Sequence, residues 1–139
     1  MEKKWETANL LWSDYDKSVY YNTYDVTSQV KKGGNAIGVL LGNGFYNVQG
    51  GRYRKLQISF GAPTLRFRMV VNYEDGTSET IVSGKDWKYD FSPVLFNCIY
   101  GGEDYDARRE QKGWNMFGFK EQDWRPVVIQ EAPKGVLRP

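Results

Sequence analysis

The sequence contains no histidine, one cysteine and no long apolar run, and each shortage excludes a class of function. Without histidine the chain lacks the usual general base, the Ser–His and Cys–His nucleophile pairs and the commonest zinc ligand. Cys98 has no intrachain disulfide partner and lies in the apolar run PVLFNCIY, so we expect a buried thiol that packs as a small hydrophobe. No run approaches the ~18 apolar residues of a membrane helix, and no membrane span is expected.

An excess of either charge is also missing, because 19 Lys and Arg residues are interspersed with 17 Asp and Glu residues. No block of Lys and Arg is long enough to form a binding stripe, so nucleic acid is not an expected partner. The 139 residues suffice for one domain around a single core. We expect an amino-terminal segment over 1–20, a folded domain over 21–128, and a polar, proline-containing linker toward a further domain over 129–139.

Strand patterns dominate the rest of the sequence, in which aromatic residues make up 16% of the chain. Apolar and polar residues alternate from Leu65 to Tyr73, and Asp75-Gly76 supplies the pair that two-residue hairpin turns prefer. Further strands are predicted around Ile37–Leu41, in SPVLFNCIY and in RPVVIQ, whereas YDVTSQVKKGGN allows about one helical turn. Several short strands separated by turn signals predict an all-β fold of the sandwich type.

The acidic stretch GGEDYDARREQKGW is either an active site or a structural loop. A glycoside hydrolase needs two carboxyl groups roughly 5 to 9.5 Å apart, and this stretch is rich enough in them. Acid and base roles also require separated pKa values, but here the neighbouring arginines hold the carboxylates ionised. We therefore predict no catalytic residue and expect Asp106 or Glu103 to pair with Arg108, with a contact to sugar or calcium as the alternative. The predicted structural loop contains Glu103, Asp104, Asp106 and Arg108.

A second stretch, LGNGFYNVQGGRYRK, has the glycines of a phosphate loop but lacks its lysine and hydroxyl, so a phosphate site is not expected. Aromatic and amide side chains on a loop suit sugars instead, because a ring stacks on the apolar face while polar groups bond the hydroxyls. The candidate carbohydrate-binding residues are Phe45, Tyr46, Asn47, Arg52, Tyr53 and Trp87. Four tryptophans are either buried core residues or further rings on which a sugar could stack: Trp12, Trp87, Trp114 and Trp124.

Calcium is the metal for which the chain has suitable oxygen ligands. Side-chain oxygens are available from Asn43, Asn47, Asp86, Asp90 and Asp104. Their spacing matches no recognised calcium loop such as the EF-hand, so no metal ligands are assigned.

Four strings together resemble one known family: YYNTYDVTSQVKKGGNAIGVLLGNGFYN, FGAPTLRFRMVVNYEDGTSETIVSGKDWK, SPVLFNCIYGGEDYDARREQKGW and DWRPVVIQEAPKGVLRP. In this order they are similar to the amino-terminal β-sandwich region of bacterial α-L-rhamnosidases of glycoside hydrolase family 78. The similarity covers nearly the whole chain. Its most specific elements are TYDVT followed by GNAIGVLLGNG, and GGEDYDAR followed by GW.

The resemblance implies a non-catalytic sandwich of the jelly-roll or galactose-binding type. In that family, acidic residues of a large (α/α)6 barrel hydrolyse terminal α-L-rhamnosides with inversion, and that barrel would lie beyond the carboxyl end of this chain. The implied partners are the rest of a bacterial, extracytoplasmic parent chain and a rhamnose-containing glycan. No cofactor is required, although related domains bind rhamnose with the help of calcium. A free-standing carbohydrate-binding module or lectin, or a purely structural spacer, is the alternative.

Two departures from the family pattern bear on these expectations. Phe45 stands where the usual tryptophan follows GNG, which weakens a stacking role. Only MEKKWETANLLWSDYDKSVYY precedes TYDVT, where the family carries two strands. A sandwich without those strands would expose open edges, so we expect the fragment to self-associate.

Overall fold

The computed structural model describes residues 13–48, 50–52, 55–131 and 134–139. No α-helix occurs within these ranges, which confirms the predicted all-β class, and no helix there is long and apolar enough to cross a bilayer. One 3-10 turn covers Ala107–Arg109. The strands are β1 (Ser18–Tyr20), β2 (Asn47–Val48), β3 (Ile58–Ser59), β4 (Arg68–Asn72), β5 (Ser78–Val82), β6 (Lys88–Tyr89), β7 (Val94–Cys98), β8 (Gly102–Tyr105), β9 (Arg125–Pro126) and β10 (Val136–Arg138).

The strands pair two by two, and no sheet among the described residues has a third strand. β1 lies parallel to β10, whereas β2–β3, β4–β5, β6–β9 and β7–β8 are antiparallel pairs. Within the described part of the chain, each strand is therefore paired along one edge only. Two-stranded units are marginally stable by themselves, so loops and side-chain contacts must hold the pairs together. The jelly-roll or galactose-binding type of sandwich stays a prediction.

The β4–β5 hairpin confirms the alternating pattern read from the sequence. Met69 and Val71 are half-buried on one face, and the intervening residues are exposed. The connection is longer than the predicted two-residue turn. The last bonded pair before the loop is Tyr73 and Thr77, with the Tyr73 amide donating to the Thr77 carbonyl at 2.9 Å. Three residues thus link the strands, with Gly76 at φ +82°, where only glycine avoids strain. This is the common three-residue hairpin loop.

The strand predicted at Ile37–Leu41 is wrong as a paired element, because this segment belongs to no ladder among the described residues. The single helical turn is confirmed: the Val30 amide donates to the Val26 carbonyl at 3.2 Å, and Asp25 accepts from the Thr27 amide at 2.9 Å. SPVLFNCIY contains β7, whereas only the first two residues of RPVVIQ form β9.

The carboxy-terminal tail, expected as a linker, contributes β10. The Val136 amide donates to the Lys17 carbonyl at 2.9 Å and begins the parallel pairing with β1. Gly135 allows this close approach, since a Cβ there would lie 2.4 Å from the Tyr15 carbonyl oxygen. Backbone pairing needs no apolar side chains, which is why the composition of the tail did not predict it. The domain limits of 21–128 stay a prediction.

The described core is small. Val48 and Cys98 are its buried apolar residues, as expected for the cysteine, and Asn47 is buried beside them. The chain exposes 11543 Å², whereas a self-contained monomer of its mass would expose roughly 7,400 Å². Much apolar surface therefore remains uncovered in the isolated chain.

Candidate functional site

The GNGFYN loop is fixed by a network of amide side chains. Asn43 Nδ2 donates to the Asn97 carbonyl of β7 at 3.0 Å, and Asn47 Nδ2 donates to Asn43 Oδ1 at 3.0 Å. Ser59 Oγ of β3 donates to Asn47 Oδ1 at 2.9 Å. The network joins β2, β3 and β7, so both amide oxygens already accept hydrogen bonds within the protein. The geometry thus gives Asn47 a position in the packing of the loop rather than on its surface.

Arg52 connects the two stretches that the sequence singled out. Its Nη2 donates to Asp104 Oδ1 at 2.7 Å, and its guanidinium lies 5.0 Å from the centre of the Phe96 ring. The hydrogen bond to Asp104 raises the pKa of Arg52 above its ordinary value. Two predicted residues therefore meet, but in an ion pair that ties the loop to β8 and leaves no unpaired charge for a ligand.

Asp106 pairs with Arg108, as predicted. Both carboxylate oxygens accept from the guanidinium at 2.8 Å, and Oδ1 also accepts from the Arg108 amide at 3.1 Å, which caps the 3-10 turn. Arg108 Nε and Nη2 supply the two side-chain donors, and these bonds hold the pKa of Asp106 below its ordinary value of 3.8. The side chain of Asp106 is 16% exposed and that of Arg108 is 89% exposed. Glu103 is exposed on β8 and does not join the pair.

We expect Asp106→Ala to lower the midpoint of urea unfolding, whereas Asp106→Asn retains most of the stability because Asn also caps. Arg108→Ala should stay close to the parent chain, since exposed ion pairs contribute little. The lowered pKa means that the contribution of Asp106 is fully present above its unfolded pKa and is lost as the pH falls through its folded pKa. Urea titrations of the three variants between pH 2 and pH 7 measure their unfolding midpoints and the pH dependence. Equal losses of stability in the Asp106→Ala and Asp106→Asn variants would contradict the capping role of Asp106.

The remaining candidate rings lie apart from one another. Phe45 contacts the edge of Tyr100 at 6.1 Å between ring centres, and Trp87 contacts Phe67 at 5.5 Å. Trp114 stacks on Trp124, consistent with anchors rather than platforms. Tyr53 and Trp12, which the sequence also predicts as candidates, lie outside the described residues.

Tyr46 is the predicted sugar-binding residue that does line a cleft. Its ring lies 5.2 Å from Tyr15 and 5.7 Å from Phe60, and its hydroxyl donates to the Phe60 carbonyl at 3.2 Å. Tyr15 also contacts Phe60 edge-on at 5.2 Å, which closes a triangle of rings. The cleft holds about 240 Å³ and is lined by Tyr15, Asp16, Tyr46, Phe60, Thr64, Gln130, Glu131 and Lys134.

Two strand pairs bring the cleft residues together from distant parts of the chain. The β2–β3 pair places Tyr46 against Phe60, and the β1–β10 pair places Tyr15 near Lys134. Burial, and then the nearby Tyr46, raise the pKa of Tyr15 above 10.0, so its hydroxyl remains protonated at neutral pH. Sequence reasoning missed every lining residue except Tyr46, because no local spacing reports these long-range pairings.

For the described residues, calcium binding stays a prediction that rests on the resemblance. Among them no group of three or more His, Cys, Asp or Glu side chains is placed to hold a metal ion. The oxygens of Asn43 and Asn47 accept hydrogen bonds, and Asp104 is paired with Arg52.

Comparison with known proteins identifies relatives along nearly the whole chain. An α-L-rhamnosidase of Formosa agariphila is 40% identical over 116 residues, which cover 81% of this chain and 12% of that protein. One from Streptomyces avermitilis is 41% identical over 116 residues, covering 84% of this chain and 11% of its own length. The chain thus spans about one eighth of the length of these relatives.

Two solved structures share its fold. The α-L-rhamnosidase from Dictyoglumus thermophilum matches with a TM-score of 0.77 and 39% identity, over 91% of this chain and 13% of that one. The Streptomyces avermitilis α-L-rhamnosidase complexed with L-rhamnose matches with a TM-score of 0.76 and 34% identity, over 89% and 12%. Residues 7–139 match the family described as the α-L-rhamnosidase N-terminal domain. The chain belongs to this family.

Proposed function

We propose that this chain is a non-catalytic accessory domain of an α-L-rhamnosidase and supports the catalytic part of a longer polypeptide. The observation that carries the proposal is its uncovered surface. The chain exposes 11543 Å², and among the described residues only Val48, Cys98 and Asn47 are buried, as expected of a region that packs against further protein. By resemblance, the parent hydrolyses terminal α-L-rhamnosides in an (α/α)6 barrel.

The chemistry of the acidic stretch supports the non-catalytic role. Asp106 is held ionised by Arg108, so it cannot donate a proton near neutral pH. Asp104 is paired with Arg52, and Glu110 accepts from the Tyr105 hydroxyl at 2.7 Å. The lowered pKa of Asp106 is the opposite of the raised pKa that a glycosidase acid needs. The proposal is tested by assaying aryl α-L-rhamnoside hydrolysis by the 139-residue chain and by a longer rhamnosidase that carries it.

A second role, contact with sugar, is supported by the cleft at Tyr46. Aromatic rings beside hydroxyl, amide and charged side chains suit a small ring that has one apolar face and several hydroxyls. Its volume of about 240 Å³ lies below the roughly 300–1,000 Å³ of ordinary ligand pockets, which favours one monosaccharide unit. We therefore propose a terminal rhamnosyl unit as the ligand of this cleft.

We expect L-rhamnose to shift the NMR signals of Thr64 and Lys134 with a Kd of roughly 0.1 to 10 mM, because a shallow contact mostly replaces bonds to water. Gln130→Ala should weaken binding several-fold, whereas Gln122→Ala, an exposed glutamine away from the cleft, should not. Absence of shifts at tens of millimolar sugar would favour the purely structural spacer.

A further inference from the structure

Two aromatic rings and an arginine lie together on the β6–β9 pair. Tyr89 aligns with Arg125 across the pair, and Phe91 follows Tyr89 by two residues, a spacing that places both rings on one face of an extended chain. The ring centres of Tyr89 and Phe91 are 6.2 Å apart. The Arg125 guanidinium lies 5.4 Å from the centre of the Phe91 ring. We call these three residues the Arg125 platform.

The backbone beneath the platform is held by side-chain hydrogen bonds. Asp90, which directly precedes Phe91, accepts a hydrogen bond from Gln111 Nε2. Gln111 Oε1 accepts in turn from Nε1 of Trp124, at 2.7 Å, and Trp124 directly precedes Arg125. Gln111 therefore links the two strands that carry the platform. The Phe91 ring nevertheless faces outward, since this residue is 66% exposed.

A second arginine in this chain lies over a phenylalanine ring, and its guanidinium has a carboxylate partner. Arg52 is held over Phe96 and donates to Asp104. Arg125 has the same position over Phe91, but it forms no ion pair or side-chain hydrogen bond with any residue that the structure describes. Its planar set of donors is exposed, and this geometry fits a carboxylate through two parallel hydrogen bonds.

The platform combines the two kinds of group that an acidic sugar requires. The apolar C–H face of a sugar ring stacks on an aromatic ring, and a carboxylate on the same sugar can pair with a guanidinium beside that ring. A protein partner is disfavoured, because two rings and one arginine offer far less than the ~1,200 Å² of a stable interface. A neutral sugar would leave the guanidinium without a partner.

We propose that the Arg125 platform binds a carboxylate-bearing sugar unit, such as a uronate, within a glycan. The choice of a sugar over other carboxylates rests on the proposed accessory function. The platform shares no residue with the lining of the cleft at Tyr46, so it is a second site with a different ligand.

Saturation-transfer NMR with two matched sugars tests the platform. Methyl β-D-glucuronide and methyl β-D-glucoside differ only in a carboxylate that replaces a hydroxymethyl group. We expect the glucuronide to bind the 139-residue chain with a Kd of roughly 1 to 20 mM, about fivefold or more below that of the glucoside. Saturation should be strongest at H1, H3 and H5, which lie on one face of the sugar. About 0.5 M NaCl should reduce the preference, because the ion pair is exposed.

Matched variants separate the roles of the charge and the ring. Arg125→Gln should lower the affinity for the glucuronide to that for the glucoside, whereas Phe91→Ala should weaken binding of both sugars. Arg68→Gln is the control, since Arg68 is also an exposed arginine on a strand but forms no ring contact with any described residue. Protection of the β4–β5 amides from hydrogen exchange reports that each variant is folded.

Equal affinity for the two sugars, or unchanged glucuronide binding in Arg125→Gln, would overturn the proposal. Displacement of the glucuronide by an equal concentration of acetate would also overturn it, because a carboxylate alone would then suffice. The same titration in an active longer rhamnosidase should reproduce the binding, and its loss there would mean that protein covers the platform. Lack of rhamnosidase activity in the longer protein would instead refute the proposed function, while glucuronide binding by the 139-residue chain would still support the platform.

Discussion

The 139-residue chain alone is expected to hydrolyse p-nitrophenyl α-L-rhamnoside no faster than buffer, at any pH between 4 and 9. Histidine is absent, Asp104 and Asp106 form ion pairs with arginines, and Glu110 accepts a hydrogen bond from the Tyr105 hydroxyl. Glycoside hydrolysis needs one protonated and one ionised carboxyl group across the scissile bond. The proposed accessory role assigns such a pair to another part of the longer polypeptide, so for this chain the barrier should stay at its solution value.

The size of the expected effect makes this assay decisive. Enzymes accelerate reactions by roughly 10⁶-fold or more, so even a poorly folded catalytic site would be detected. A longer rhamnosidase in the same assay provides the positive control. Turnover that survives repurification and disappears in Asp104→Asn or Asp106→Asn would show that the acidic stretch is catalytic.

Local features of this fold were predictable from the sequence. The β4–β5 hairpin follows from a period of two that ends in a turn sequence, and the capping of the 3-10 turn by Asp106 involves residues two positions apart. Such contacts depend on neighbours in the chain, so the sequence contains the information directly. The extra residue in the hairpin loop was missed because Asp75-Gly76 is compatible with both turn lengths.

Long-range features were not predictable in the same way. A strand exists only with a partner, so the apolar pattern of Ile37–Leu41 could predict a strand but not what pairs with it. The cleft depends on the β1–β10 pair, in which Ser18 aligns with Val136. The pairing consists of hydrogen bonds between backbone groups, which every residue except proline has in full. No pattern of side chains in the sequence therefore predicts it.

Gly135→Ala is expected to separate β10 from β1. A Cβ at this position would lie 2.4 Å from the Tyr15 carbonyl oxygen and 3.0 Å from the Ser18 amide nitrogen. Both contacts are with backbone, which cannot swing aside as a side chain can. Relief by movement of the strands should cost about 1–3 kcal/mol, as overpacking usually does.

Hydrogen exchange at two amides measures this separation. The amides of Val136 and Tyr21 donate to the Lys17 and Arg138 carbonyls at 2.9 Å in the parent chain. Both should lose their protection in Gly135→Ala, and the rhamnose-dependent shift of Lys134 should vanish because the cleft wall moves away. Gly42→Ala is the matched control, since its Cβ would meet only Asn97 Oδ1 at 3.4 Å, an ordinary contact. Unchanged protection of the Val136 amide in Gly135→Ala would contradict the prediction. It would mean that position 135 tolerates a side chain and that the close contact with the Tyr15 carbonyl is not needed to hold β1 and β10 together.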